Sequence, residues 1–187
     1  AEHFGVKPDI LVFGKGIGAG LPLSCIVIRD GLEGFGPDVQ ELHTFGSATL
    51  SHVASAKMFE IIKRDGILAN VRAVGDYIGA QVEAMRGEFP EIAEVRQIGL
   101  HIGIEFARPD EALTPMPAET VAIRDAGIER GCIFGLGGVR KNVLKIKPAL
   151  IVTREEADKV LDIFQDAATA VLKPARAAMA GAGSSRR

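Results

Sequence analysis

Residues 8–23 constrain this chain more than any other stretch. The apolar run Ile10–Phe13 predicts a short buried strand. It leads into a loop that sets Gly14, Gly16, Gly18 and Gly20 around a single lysine, Lys15. No other charge lies between Asp9 and Arg29. An ammonium group is strongly hydrated and is seldom placed among apolar residues without a partner. A lysine held between apolar strands loses its proton more readily and becomes a nucleophile or a Schiff-base former. Flanking glycines let the backbone approach a flat ligand with no side chain in the way. The plain alternative is a solvated loop lysine.

Two phosphate-loop alternatives are weaker. A Walker A loop requires a glycine where Asp9 stands and a Ser or Thr where Gly16 stands. Gly14 to Ala19 matches a G-x-G-x-x-A fingerprint, but that motif must open a helix. Here Pro22 follows, and then Leu23–Ile28, which reads as another strand.

Asp9-Ile10-Leu11, Gly14-Lys15 and Gly18-Ala19 together resemble the cofactor-lysine motif of the class III aminotransferases. These enzymes use pyridoxal phosphate on the α/β fold type I scaffold. The resemblance continues at His43-Thr44-Phe45-Gly46, at Gly137-Gly138, and from Asn142 to Pro148, and it runs from Gly5 to about Leu172. It implies that Lys15 binds the cofactor as an aldimine and then shuttles a proton. The reaction implied moves an amino group between an amine or amino acid and an oxo acid in a ping-pong cycle. Thr44 matches a threonine that donates to the cofactor phosphate of the partner subunit, so a homodimer with shared sites is implied. After it, Ala48-Thr49 stand where the family commonly has Asn-Pro. For the substrate carboxylate the family often places an arginine three residues before a proline. Lys145 holds that place before Pro148, a point charge instead of a planar fork. Arg140 lies nearby in a glycine-rich loop. A solvated basic edge is the alternative for both.

The family's full chains are much longer, so this sequence is expected to be a C-terminal portion. The acid for the pyridine nitrogen and the main phosphate loop lie upstream of the lysine in the family, and the chain alone is expected to be inactive. A racemase, mutase or decarboxylase on the same scaffold would also keep the lysine. A non-catalytic dimerising fragment is the remaining alternative.

The rest of the chain fits a folded, packed structure. Its 187 residues suit one domain or two small ones, and 47% hydrophobic content supports a packed core. A net charge of −2 gives no footprint for nucleic acid or an anionic membrane. Cys25 and Cys132 sit far apart in apolar runs and read as buried free thiols of a reducing compartment. With no signal peptide and no long apolar run, the expected location is the cytoplasm. The histidines show no metal-ligand spacing.

Apolar spacing predicts a helix through Val53, Ala56, Phe59 and Ile62, capped by Thr49 or Ser51. Thr44, Ser47 and Thr49 precede it, where anions bind well. A longer helix is predicted from Gly66 to Glu88, ended by Pro90. Strands are predicted at 95–98, 101–106, 132–134 and 143–146, and a helix at 118–130 with Gly131 beyond it. Thr153 and Glu156 form a capping box for a last helix, which Lys173-Pro174 ends near Leu172. The expected division is a partial cofactor-binding domain at 1–65, a connecting helix at 66–90, a small α+β domain at 91–173 and a disordered tail at 174–187.

Overall fold

The computed structural model describes residues 1–32, 46 and 48–184, with the backbone alone from 176 onward. The chain forms two compact units, Ala1–Asp65 and Gly66–Arg187.

The first unit holds an antiparallel ribbon of β1 (Ile10–Phe13) and β2 (Cys25–Ile28), with Ile10 opposite Ile28 and Phe13 opposite Cys25. At its open end Arg29 pairs with Asp9 at 2.9 Å. The strand at 10–13 forms as its apolar run predicts, but it is not buried: Val12 is 73% exposed. A run of four apolar residues is apolar on both faces, and a ribbon covers neither. Helix α1 (Thr49–Arg64) follows, with Ala48 at its N-cap and no side-chain capping bond. Thr49 is thus the first helical residue and not the cap.

The second unit carries a four-stranded antiparallel sheet in the order β3-β4-β6-β5. Its strands are β3 (Ile92–Ile98), β4 (His101–Phe106), β5 (Gly135–Gly137) and β6 (Val143–Ile146). Helices α2 (Ile67–Ala84), α3 (Pro117–Glu129) and α4 (Arg154–Ser184) bury one sheet face. Ile102, Ile104 and Phe106 of β4 alternate onto that face and are fully buried with Leu144 of β6. Val74, Ile78 and Val82 of α2, Ile123 of α3, and Leu161 and Phe164 of α4 pack against them. Each buried side chain of this size contributes about 1.5–3 kcal/mol relative to exposure.

The predicted strand at 132–134 forms instead at Gly135–Gly137. Phe134 is taken into the core, where its ring meets Phe164 edge-on at 6.1 Å between centroids. Gly127 of α3 makes room for that ring, since a Cβ there would lie 2.5 Å from it. The backbone pairing with β6 then falls on the glycines, whose own β-propensity is poor.

Helix α4 starts with the expected box: Thr153 N–H donates to Glu156 at 2.9 Å, and Glu156 N–H donates to the Thr153 hydroxyl at 3.2 Å. It does not stop at Pro174 but continues to Ser184 with that proline inside. Proline removes one helical hydrogen bond. The following Ala175-Arg176-Ala177-Ala178-Met179-Ala180 has among the strongest helix propensities available, which favours continuation. Cys25 and Cys132 are free thiols, and both are partly exposed instead of buried. Partial burial pushes the Cys132 thiol pKa up.

Candidate active site

In the first unit the loop after β1 closes as a short 3₁₀ turn, Lys15–Gly18. Gly14 is extended, and Lys15 itself is left-handed at φ 55°. For a residue with a Cβ that conformation costs about 1–2 kcal/mol. A glycine would remove the cost, so the lysine side chain and not the backbone accounts for the residue chosen. Lys15 is exposed, contrary to a setting between buried strands. It has no ion-pair partner among the described residues. The one acid of the motif, Asp9, is held by Arg29. A Cβ placed on Gly14 or Gly16 would meet nothing within 4 Å. Lys15 is therefore a bare primary amine with open space on both sides along the chain. This fits a flat aldehyde-bearing cofactor: the amine has no counter-ion among the described residues, and its flanking glycines leave space. A recess of about 590 Å³ in the same unit is lined by Pro22–Ile26, Gly46 and His52, and Lys15 is not among its walls. Thr44 and the rest of its motif except Gly46 lie outside the described residues.

In the second unit the sheet face away from the helices carries Lys145. Register sets this face in rows. Glu94, Glu105, Val143 and Gly137 form one row across β3, β4, β6 and β5; Arg96, Gly103, Lys145 and Gly135 form the next. Lys145 thus has a glycine on each side. Its stem lies along β5: a Cβ on Gly137 would sit 2.9 Å from the ammonium nitrogen and 3.0 Å from Cε. Arg96, His101, Gly103 and Lys145 help to line a cavity of about 270 Å³ on this face.

Arg96 is not free in that cavity. It pairs with Glu94 and, at 2.7 Å, with Glu105. Asn142 is buried; its Nδ2 donates to Glu105 at 3.2 Å and to the Phe106 carbonyl at 2.9 Å. The Arg96 hydrogen bond holds the Glu105 carboxyl below the usual carboxylate range, against the opposing effect of partial burial, and Asn142 adds to it. Lys145 is half-buried and has no ion pair among the described residues. Arg140 is exposed in the β5–β6 loop, close enough to add its charge to the field at Glu105. The structure therefore brings Lys145 and Arg140 to one region of the second unit, while Lys15 belongs to the first.

The sequence reading missed Arg96, Glu105 and Asn142. The alternation of Glu94, Arg96 and Ile98 with His101, Gly103 and Glu105 was the available signal. It sorts them to one face, but only strand register makes them neighbours.

The class III aminotransferase family model matches residues 1–168. Over 161 residues the chain is 32% identical to alanine–glyoxylate aminotransferase 2 homolog 2, mitochondrial, of Arabidopsis thaliana, covering 86% of this chain and 34% of that protein. It is 34% identical over 167 residues to an alanine/serine racemase of Pyrococcus horikoshii, covering 89% and 35%. A crystal structure of a Bacillus anthracis aminotransferase superposes with a TM-score of 0.82 at 27% identity, covering 91% of this chain and 40% of that one. The chain thus spans about a third of the length of the curated relatives it matches. No described helix is long and apolar enough to cross a membrane. The fold is the α/β arrangement of pyridoxal-phosphate-dependent transaminases, and the chain belongs to the class III aminotransferase family.

Proposed function

We propose that this chain carries the cofactor lysine of a pyridoxal-phosphate-dependent aminotransferase that moves an amino group between an amine or amino acid and an oxo acid. The observation that carries the reading is Lys15: an exposed, unpaired amine, left-handed at φ 55° between two open glycines. When bound, pyridoxal phosphate supplies an aldehyde and an electron sink. Lys15 holds that aldehyde covalently at Nζ and, once released, takes and returns the proton of the substrate carbon. Lys145, with Arg140 beside it, attracts the substrate carboxylate. Its ammonium has no internal counter-ion among the described residues to displace first. Thr44 is assigned, on its sequence motif, to the cofactor phosphate of a partner subunit, which makes the working protein a homodimer. The first unit is assigned to the cofactor-binding domain and the second to the small domain, a division supported by the separation of the chain into two compact units. A cytoplasmic location is supported by the free thiols of Cys25 and Cys132.

Borohydride reduction in the presence of pyridoxal phosphate tests the assignment on the full-length protein. Peptide mass mapping should find a pyridoxyl group on Lys15, and Lys15→Ala should lose it. A pyridoxyl group fixed to another lysine in the wild-type protein would overturn the assignment. Dependence of product formation on an added oxo acid separates amino transfer from racemisation.

A further inference from the structure

Glu105 sits diagonally from two cations on the outer sheet face. Arg96 lies one strand away on β3 and Lys145 one strand away on β6, each offset by one row. Diagonal neighbours on a sheet are about 7–8 Å apart, within reach of long side chains. One carboxylate therefore has two competing partners, and the structure shows which one holds it. Arg96 takes Glu105 at 2.7 Å and shares its charge with Glu94. Asn142 fixes the other oxygen of Glu105 from a buried position and is itself tied to the Phe106 carbonyl. Lys145 is drawn the other way. Its stem runs over the bare backbone of Gly135 and Gly137, and the Val143 side chain stands between its row neighbours Glu105 and Gly137. The position between Arg96 and Lys145 is Gly103, which has no side chain to fill the cavity.

We propose that Arg96 and Asn142 are positioning residues that hold the Glu105 carboxylate off Lys145, so that the recess over Gly103 offers an unpaired ammonium to the carboxylate of an incoming amino or oxo acid. This rests on the carboxylate role given to Lys145 above. Without the clamp, Glu105 swings to Lys145 and acts as a tethered competitor of the substrate. An arginine suits the clamp: a single guanidinium nitrogen, Nη1, meets both carboxylates, and the group stays charged. A lysine suits the binding position, since its single point charge can leave the glycine track and meet a ligand. Among the described residues, the charged and titratable groups near Lys145 on this face include Arg96 and Glu94 on β3, His101 and Glu105 on β4, Lys147 just past β6, and Arg140 in the β5–β6 loop; β5 contributes only glycines to it.

The test uses the holoenzyme with L-alanine and isopropylamine as alternative amino donors, the second lacking a carboxylate. Arg96→Met should raise KM for alanine about fivefold, the size of an exposed ion pair, with kcat kept and KM for isopropylamine unchanged. Arg96→Met with Glu105→Gln should return the alanine KM to the wild-type value, and Arg96→Lys should lie close to wild type. Acetylation of Lys145 by acetic anhydride at fixed pH, followed by peptide mass mapping, gives a second readout. It should slow in Arg96→Met and recover in the double variant. Equal loss for both donors, or no recovery in the double variant, would overturn the proposal. Should Arg96→Met not fold, Arg96→Gln, which also removes the charge, carries the same expectations and the same overturning results. Lys145→Met separates the two layers. If it leaves the alanine KM unchanged, the carboxylate reading of Lys145 fails, while the acetylation rates still decide whether the clamp exists.

Discussion

The two units place similar residues in opposite circumstances. In the first, Ile10, Val12, Ile26 and Val27 are between 49% and 73% exposed, although all four lie in strands. In the second, Ile102, Ile104 and Phe106 are fully buried on one face of β4. The difference is one of layers. β4 alternates apolar and polar positions, and one helical layer satisfies it. β1 is apolar on both faces and would need two layers. Particular glycines show the same contrast. Gly127 is required because an aromatic ring fills its space, whereas Gly14 and Gly16 adjoin nothing. The second unit is organised around packing. The first leaves the loop around Lys15 open.

That contrast can be broken by substitution, and the largest effect is expected in the core. Ile102→Ala should cost about 2–5 kcal/mol, while Ile26→Ala, with the same chemistry at 56% exposure, should leave the second unit's transition in place. Urea unfolding followed by emission of Tyr77 reads that unit alone, because Tyr77 is the single tyrosine and there is no tryptophan. Equal shifts for the two variants would show that the units unfold as one.

The glycines give a smaller effect. A methyl group on Gly127 enters the Phe134 ring, so Gly127→Ala should cost about 1–3 kcal/mol in the same measurement. Gly16→Ala, facing open space, should not move the curve.

The smallest effect belongs to Lys15 and has the opposite sign. Its left-handed backbone favours glycine, so Lys15→Gly should be more stable locally than Lys15→Ala by up to about 1 kcal/mol. Amide exchange across residues 14–19 should then be up to about fivefold slower in the glycine variant. Slower exchange in the alanine variant would show that the turn stores no strain.

Much of the second unit was legible before any coordinates. The bounds of β4 and β6, the turn at Gly99, Gly131 beyond α3 and the Thr153–Glu156 box all follow from local pattern and capping chemistry. The motif around Lys15 marked the residue itself. Local pattern failed where neighbours far along the chain competed for a residue. Cys132–Phe134 has the stronger strand propensity, yet the core takes Phe134 and pairing moves to Gly135–Gly137. The expected stop at Pro174 gave way to the helix-forming sequence beyond it.

What the sequence determined by itself is therefore local: periodicity, caps, turns, and a lysine among glycines that fits an aldehyde-binding amine. Only the tertiary structure decided that Lys15 is exposed with open space beside it, and that Lys145 lies between glycines while Arg96 and Asn142 hold Glu105. The physical reason is register. Alternation along a strand says which face a residue takes, but its partner on that face depends on how separate strands align, and that is fixed by the packed core beneath them.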